Sequence, residues 1–147
     1  MYTPSFPKPL LVQEDDGTNS PLDHQRVISK LTVGLGILFY RERAITLEPL
    51  PETPLGEGPG HQVPDVLLFD NEIQLTRIII EVSQPRTANR DLKKVIHLIE
   101  DDDYGIEEGF IYNYHSKEWL RYCKGDGGAA TVSSISDLMG VDLGKML

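Results

Sequence analysis

The sequence has little cysteine and no long apolar run. Its 147 residues include one cysteine, Cys123, which excludes an intrachain disulfide and favours a reducing, cytoplasmic compartment. No apolar run approaches the roughly 20 residues that a membrane-spanning helix needs. The segment 1–11 contains three prolines and no continuous apolar stretch, which disfavours a secretory signal. We therefore expect a protein that has no membrane partner.

Basic residues are scarce as well. The chain has 14 lysines and arginines against 23 acids, so its net charge is −9. Proteins that bind nucleic acid through their overall charge are usually basic, so this class is disfavoured. Nine of the acids lie in two segments, 14–16 and 100–108, which contain no lysine or arginine. Outside them the charges balance, so the composition does not exclude a nucleic-acid enzyme with a local positive strip.

Proline is almost absent from the second half of the chain. Nine of the ten prolines precede Asp65, and the exception is Pro85. This distribution predicts an extended N-terminal arm over residues 1–20 and a loop over 49–64. The remaining residues, 21–147, are enough for a single domain with a hydrophobic core.

Hydrophobic periodicity predicts a mixed sheet flanked by helices. Val27, Leu31 and Leu35 recur at helical spacing after Asp23, which is a suitable N-cap. A strand–helix–strand order over 77–114 predicts a parallel pair with a right-handed crossover. We therefore expect an α/β (α+β) domain. The predicted strands cover 44–47, 66–69, 77–82, 110–114 and 119–122, and two further predicted helices cover 90–99 and a short segment near Leu138 capped by Ser136.

Two acids lie where neighbouring predicted strands face each other. A hairpin centred on Ile73 pairs residues whose numbers sum to 146, which places Asp65 opposite Glu81. Glu81 follows three isoleucines, a run typical of a strand covered on both faces. Because facing carboxylates repel each other unless a proton or cation intervenes, the pair suits a divalent cation such as Mg²⁺. The same ion would suit phosphate-ester hydrolysis.

A structural interpretation of the two acids stays open. An aspartate that follows a proline at the start of a strand is often a turn residue. A glutamate at the end of a strand is often solvated or paired with arginine, and Arg77, Arg86 and Arg90 are near enough in sequence to be its partners. Spacing alone does not decide between this interpretation and a metal site.

Several short motifs occur in an order that resembles a known group of nucleases. The segments VPDVLLFD and RIIIEVSQPRTANRDLKKV resemble the PD-(D/E)XK nuclease superfamily and, within it, the Uma-two family of restriction-endonuclease-like proteins. The resemblance covers roughly residues 20–122. The features that carry it are His24 on the first helix, Pro64–Asp65, Glu81–Val82 with Pro85, Asp91 with Lys93 and Lys94, and GIEEGFIYNY from Gly105.

The resemblance implies a restriction-endonuclease-like fold and a catalytic metal site. It implies Mg²⁺ or Mn²⁺ held by Asp65, Glu81 and the Val82 carbonyl, with DNA as the substrate. A lysine that polarises the attacking water normally follows the second acid by two positions, where this chain has Ser83. In the Uma-two pattern the lysine lies on the following helix, which here offers Lys94 first and Lys93 second. His24 and Ser83 are expected to line the site.

Helical geometry favours a different lysine from the motif. An apolar stripe of Leu92, Val95, Ile96 and Ile99 would place Lys93 at its border and Lys94 nearly opposite. Geometry thus favours Lys93 and the motif favours Lys94, so the choice stays open. A further departure from the family pattern is Gly109, which stands where an aromatic residue is usual.

Four cations follow the proposed metal site within nine residues. Arg86, Arg90, Lys93 and Lys94, with the single acid Asp91, form a strip that is suited to phosphate contacts, although ordinary surface charge explains it equally well.

The sequence is compatible with two functions: a metal-dependent endonuclease that hydrolyses DNA phosphodiester bonds, or a binding or regulatory module with a decayed nuclease site. DNA is the expected partner, with a homodimer as a further option.

Overall fold

The computed structural model describes residues 21–147, so the predicted arm over 1–20 lies outside the described residues. Within residues 21–147, two α-helices and eight strands are connected mainly by short turns. They are α1 Pro21–Gly36, which is followed by a π-helical turn Ile37–Arg41, then β1 Leu47–Pro51, β2 Val66–Asp70, β3 Leu75–Ser83, α2 Ala88–Glu100, β4 Glu108–Asn113, β5 Glu118–Cys123, β6 Thr131–Val132, β7 Ile135–Ser136 and β8 Val141–Asp142, with a terminal 3₁₀ helix Leu143–Met146.

The main sheet has six strands in the order β1-β2-β3-β4-β5-β6. All neighbouring pairs are antiparallel except β3 and β4, which are parallel and are connected through α2. This arrangement confirms the predicted strand–helix–strand unit and the predicted class, a mixed sheet flanked by helices. The strands β7 and β8 form a separate small hairpin.

Helices cover both faces of the central strand β3. Ile78 and Ile80 belong to the core cluster that contains the buried residues of α1, whereas Ile79 packs with those of α2. The isoleucines of β3 are therefore consecutive rather than alternating with polar residues, because each face of this strand packs against a helix. Since alternate residues share a face, Glu81 continues the face of Ile79 and lies on the α2 side.

The close approach of α2 to the sheet depends on Gly109 in β4. A Cβ atom placed on Gly109 would lie 2.3 Å from Val95 Cγ1 and 2.9 Å from Ile99 Cδ1. The position that departs from the family pattern is thus filled by side chains of α2. This packing fixes the distance between α2 and the strand that carries Glu81.

Three predictions about the secondary structure were wrong. The first strand covers Leu47–Pro51 rather than 44–47, and it tolerates two prolines because β1 lies at the edge of the sheet. The first helix already includes Pro21, so Asp23 lies in its first turn and is not its N-cap. No helix occurs near Leu138: Ser136 ends β7, and its hydroxyl donates to the buried Glu108 at 2.6 Å.

Among residues 21–147, no helix is long and apolar enough to cross a membrane.

Candidate functional site

Asp65 and Glu81 meet at the end of the β2–β3 hairpin. Val66, Leu67 and Leu68 pair with Ile80, Ile79 and Ile78, which confirms the predicted register, and a bulge after Leu68 shifts the remaining pairs by one residue. Asp65 directly precedes β2, and its backbone N–H donates to Glu81 Oε1 at 3.0 Å. The two acids are therefore adjacent, as the hairpin register predicts.

The Asp65 side chain replaces a missing strand contact. Its Oδ2 accepts a hydrogen bond from the Val82 N–H at 2.7 Å, and His24 Nε2 lies 3.4 Å from the same oxygen. The register places Pro64 opposite Val82 at the end of the antiparallel ladder. There the Val82 N–H donates to the Asp65 carboxylate instead of to a carbonyl of the neighbouring strand.

The Val82 carbonyl has no hydrogen-bond donor from the neighbouring strand. Ser83 accepts from the Tyr114 N–H, so its carbonyl points toward β4. In a ladder, successive carbonyls point to opposite sides, so the Val82 carbonyl points toward the β2 side, where Pro64 offers no hydrogen. An oxygen acceptor therefore lies beside the Asp65 carboxylate.

Glu81 is a buried carboxylate with a charged partner. The residue is 5% exposed. Its Oε2 accepts from Lys94 Nζ at 2.7 Å, so both carboxylate oxygens have a donor. Burial raises the pKa of Glu81 above its usual 4.5, the charge of Asp65 raises it further, and Lys94 opposes both effects. Glu81 thus holds a proton more strongly than a solvent-exposed glutamate does.

Lys94, and not Lys93, reaches the carboxylate pair. The buried residues of α2 are Val95, Leu98 and Ile99. The face of α2 that packs on the sheet is therefore rotated toward Leu98 relative to the predicted apolar stripe. Lys94 precedes Leu98 by one helical turn and so lies on the sheet side, whereas Lys93 is exposed. The helical-wheel expectation was wrong because its stripe omitted Leu98.

Ser83, which stands at the position of the motif's strand lysine, is buried and bonded to the following helix. It is 1% exposed and its hydroxyl donates to Asp91 Oδ2 at 2.6 Å. Asp91 lies one turn before Lys94 on α2, so the two strand residues Glu81 and Ser83 each contact one residue of this helix. These contacts fix α2 against the end of β3.

A cavity of about 360 Å³ opens over these residues. Of the predicted site residues, it is lined by His24, Asp65, Glu81, Val82 and Arg90. Lys94 does not line the cavity but contacts Glu81, which does. Ser83 does not line the cavity either, and its hydroxyl is bonded to Asp91. Arg86 and Lys93 are exposed and do not line this cavity.

Five further residues line the cavity that were not among the predicted site residues: Pro21, Gln84, Thr87, Asp91 and Tyr114. The signal for Asp91 was its helical spacing from Lys94, and the signal for Tyr114 was the parallel pairing of β3 with β4, whose carboxyl ends meet at one edge. No pattern in the sequence marks Gln84.

Gln84 lines the cavity and has an acceptor oxygen without a partner in the described part of the chain. Its Oε1 is buried and finds no hydrogen-bond donor among the described residues. A buried polar atom without a partner costs about 1–3 kcal/mol, so such atoms usually serve a ligand, an ion or water. A residue that lines the cavity therefore has an acceptor that no residue in 21–147 satisfies.

His24 adds positive charge to the cavity. Its contact with Asp65 raises its pKa above the usual 6.5, although partial burial opposes this. Near neutral pH a larger fraction of His24 is therefore protonated than in a free histidine. The imidazolium partly balances the three acids that line the cavity.

The oxygen atoms of the residues around the cavity are suitable ligands for a hard divalent cation. Carboxylate, backbone carbonyl and amide oxygens are supplied by Asp65, Glu81, Val82 and Gln84, and oxygen is the ligand that Mg²⁺ prefers. No group of three or more His, Cys, Asp or Glu side chains in residues 21–147 is placed to hold a metal. An ion here would therefore depend on one or two carboxylates, backbone oxygen and water, which is usual for Mg²⁺.

Similarity to known proteins is found in structure alone. No protein-family model and no curated protein matches the sequence. A solved structure of a candidate nuclease from Anabaena variabilis, assigned to DUF820, superposes with a TM-score of 0.64 over 84% of this chain and 79% of that chain. The chain has a nuclease-like fold. The sequence identity is 13%, so the likeness is one of architecture.

A second solved structure is the DrdV–DNA complex. It shares 14% sequence identity, with a TM-score of 0.41, over 86% of this chain and 13% of the DrdV chain. The present chain thus spans a small fraction of that protein.

Proposed function

We propose that the protein is a divalent-metal-dependent endonuclease that hydrolyses DNA phosphodiester bonds. The observation that carries this proposal is the convergence of Asp65, Glu81 and Lys94 at the end of one hairpin in a nuclease-like fold. Carboxylates beside a lysine suit phosphoryl chemistry, because an ion, an attacking water and developing negative charge must be held together.

Asp65, Glu81 and the Val82 carbonyl would hold Mg²⁺ or Mn²⁺, and Gln84 would accept from a water bound there. Such an ion lowers the pKa of a bound water and neutralises charge on the phosphate. The Val82 N–H and His24 orient the Asp65 carboxylate. These contacts hold the ligand oxygens in place before substrate arrives.

The remaining roles belong to cationic side chains. Lys94 is 33% exposed and lies against Glu81, so its ammonium is placed to orient the attacking water and to stabilise charge that develops on the phosphate. Arg90 lines the cavity and is suited to contact a phosphate oxygen. Arg86, which is exposed outside the cavity, would at most contact the DNA backbone farther away.

A binding or regulatory module with a decayed site is the alternative. Two observations favour it: Ser83 stands where the strand lysine of the motif is expected, and both oxygens of Glu81 already have donors. In this case Lys94 would neutralise Glu81 in place of an ion.

A cleavage assay separates the two functions. Plasmid and single-stranded DNA would be incubated with the protein and Mg²⁺ or Mn²⁺, beside Asp65→Ala and Glu81→Ala. Glu72→Ala, which removes an exposed acid at the far end of the same hairpin, is the matched control. We expect cleavage by the wild type and the control only. Cleavage that survives both site substitutions would contradict the proposed site, and absence of both cleavage and metal binding would favour the alternative.

A further inference from the structure

A second groove lies beside the candidate catalytic cavity. It has a volume of about 650 Å³ and runs between α1 and the β4–β5 hairpin. Its basic residues are Arg26, Lys30 and Lys117, and its single acid is Asp23. The catalytic cavity is lined instead by one arginine, one histidine and three acids. We call this second cavity the α1 groove.

Among residues 21–147, two of the three cations of the α1 groove form no ion pair. Lys30 and Lys117 are exposed and form no ion pair with any residue in 21–147, whereas Arg26 contacts Asp23 at 3.0 Å. This concentration of cations occurs in a chain whose net charge is −9. Unpaired cations that share one groove repel each other, so the groove favours an anionic ligand with several charges.

The α1 groove adjoins the catalytic cavity. Tyr114 lines both, and His24 of the cavity precedes Arg26 of the groove by two residues on the same helix. At 1.5 Å rise per residue, His24 and Lys30 are about 9 Å apart along α1. That distance corresponds to about two to three nucleotides when measured along the axis of duplex DNA.

The floor of the groove indicates contacts to phosphates rather than to bases. Tyr112 and Trp119 line it but are only 7% and 8% exposed, and they pack against each other. Their ring faces are therefore not available as a stacking platform for bases. Contacts through lysine and arginine alone position a backbone without reading its sequence.

We propose that the α1 groove binds the nucleic-acid backbone on one side of the phosphate to be cleaved, with Lys30 and Lys117 as its principal contacts. This inference rests on the proposed function and adds the direction in which the substrate strand leaves the cavity. The strand passes Tyr114 and follows α1, away from the exposed strip of Arg86 and Lys93.

Binding without metal tests the groove independently of catalysis. Fluorescence anisotropy in EDTA would measure the affinity of the full chain for labelled single-stranded and duplex DNA over a range of salt. The variant Lys30→Gln/Lys117→Gln is compared with Arg41→Gln/Arg43→Gln, which removes two equally exposed charges beyond the other end of α1. Both pairs are on the surface, and circular dichroism would verify that each variant folds.

We expect the groove variant to bind about tenfold more weakly and to lower the slope of log K against log salt by about 1.4–1.8, which corresponds to two lost phosphate contacts. The control should change both quantities much less. Equal effects of the two variants, no effect of the groove variant, or no DNA binding by the wild type would overturn the inference. Asp65→Ala should still bind DNA, so loss of cleavage and loss of groove binding are distinguishable.

Discussion

Lys94 on α2 donates to Glu81 on β3, with 2.7 Å between Nζ and Oε2. Two positions after Glu81 the strand has the buried Ser83, so no cationic side chain comes from that position. The contact shows that an ammonium group from the following helix reaches the same carboxylate. The helix and the strand are fixed to each other by the Ser83–Asp91 hydrogen bond and by the packing at Gly109.

Lys94 should matter for cleavage far more than its neighbour. Replacing Lys94 by Met removes the only cation that contacts Glu81 among the described residues. We expect the cleavage rate to fall by about 10²–10³, the usual loss when one preorganised electrostatic contact is removed from an active site. The initial rate of plasmid nicking is the measurement.

Lys93→Met is the matched control for this substitution, because Lys93 is exposed on the same helical turn. Its rate should stay within about twofold of the wild type. Equal losses in both variants would show that the lysine strip acts as a whole and would contradict a specific role for Lys94. Thermal unfolding of both variants verifies that loss of activity is not loss of fold.

Glu81 should lower the stability of the protein at neutral pH. Burial and the charge of Asp65 raise its pKa in the folded state, so the folded chain binds this proton more strongly than the unfolded chain. Stability therefore falls as the pH rises from the unfolded pKa toward the folded pKa. In EDTA at neutral pH, Glu81→Gln should unfold at a higher temperature than the wild type.

The difference should vanish below the unfolded pKa, where Glu81 is protonated in both states. Glu72→Gln, at the exposed hairpin turn, serves as the control and should change the unfolding temperature little. If Glu81→Gln instead lowers the unfolding temperature across the whole pH range, the ion pair with Lys94 outweighs the cost of burial.

Gly109 should be intolerant of even one methyl group. In Gly109→Ala the new Cβ would lie 2.3 Å from Val95 Cγ1, so the tightly packed Val95 and Ile99 side chains, or α2 itself, must shift. Overpacking of this kind costs about 1–3 kcal/mol. Urea unfolding should show a lower midpoint with an unchanged slope. Gly36→Ala, whose Cβ meets nothing closer than 3.6 Å, should be neutral or stabilising, and a stable Gly109→Ala would refute the tight packing.

The hairpin end of the site is predictable from the sequence because strand geometry leaves little freedom. Alternation along β2 and β3, together with the hairpin register, is enough to place Asp65 beside Glu81. The parallel pairing of β3 with β4 follows from the helix between them. The bulge after Leu68 lies on the other side of the paired residues and so does not disturb this end of the hairpin.

The helix side of the site is less predictable. The rotation of α2 depends on which apolar residues pack against β4, and the absence of a side chain at Gly109 lets Val95 and Ile99 approach closely. That rotation decides between Lys93 and Lys94. The unpartnered oxygen of Gln84 depends on the path of the chain after β3, and no residue pattern encodes it.

The proposed catalysis depends on a divalent cation that Asp65 and Glu81 would bind together. Titration of the protein with Mn²⁺ in a calorimeter tests the site without knowledge of the DNA substrate. We predict saturable binding of about one ion in the wild type and in Glu72→Ala, and its loss in Asp65→Asn. Absence of binding in the wild type, or equal binding by Asp65→Asn, would refute the metal site.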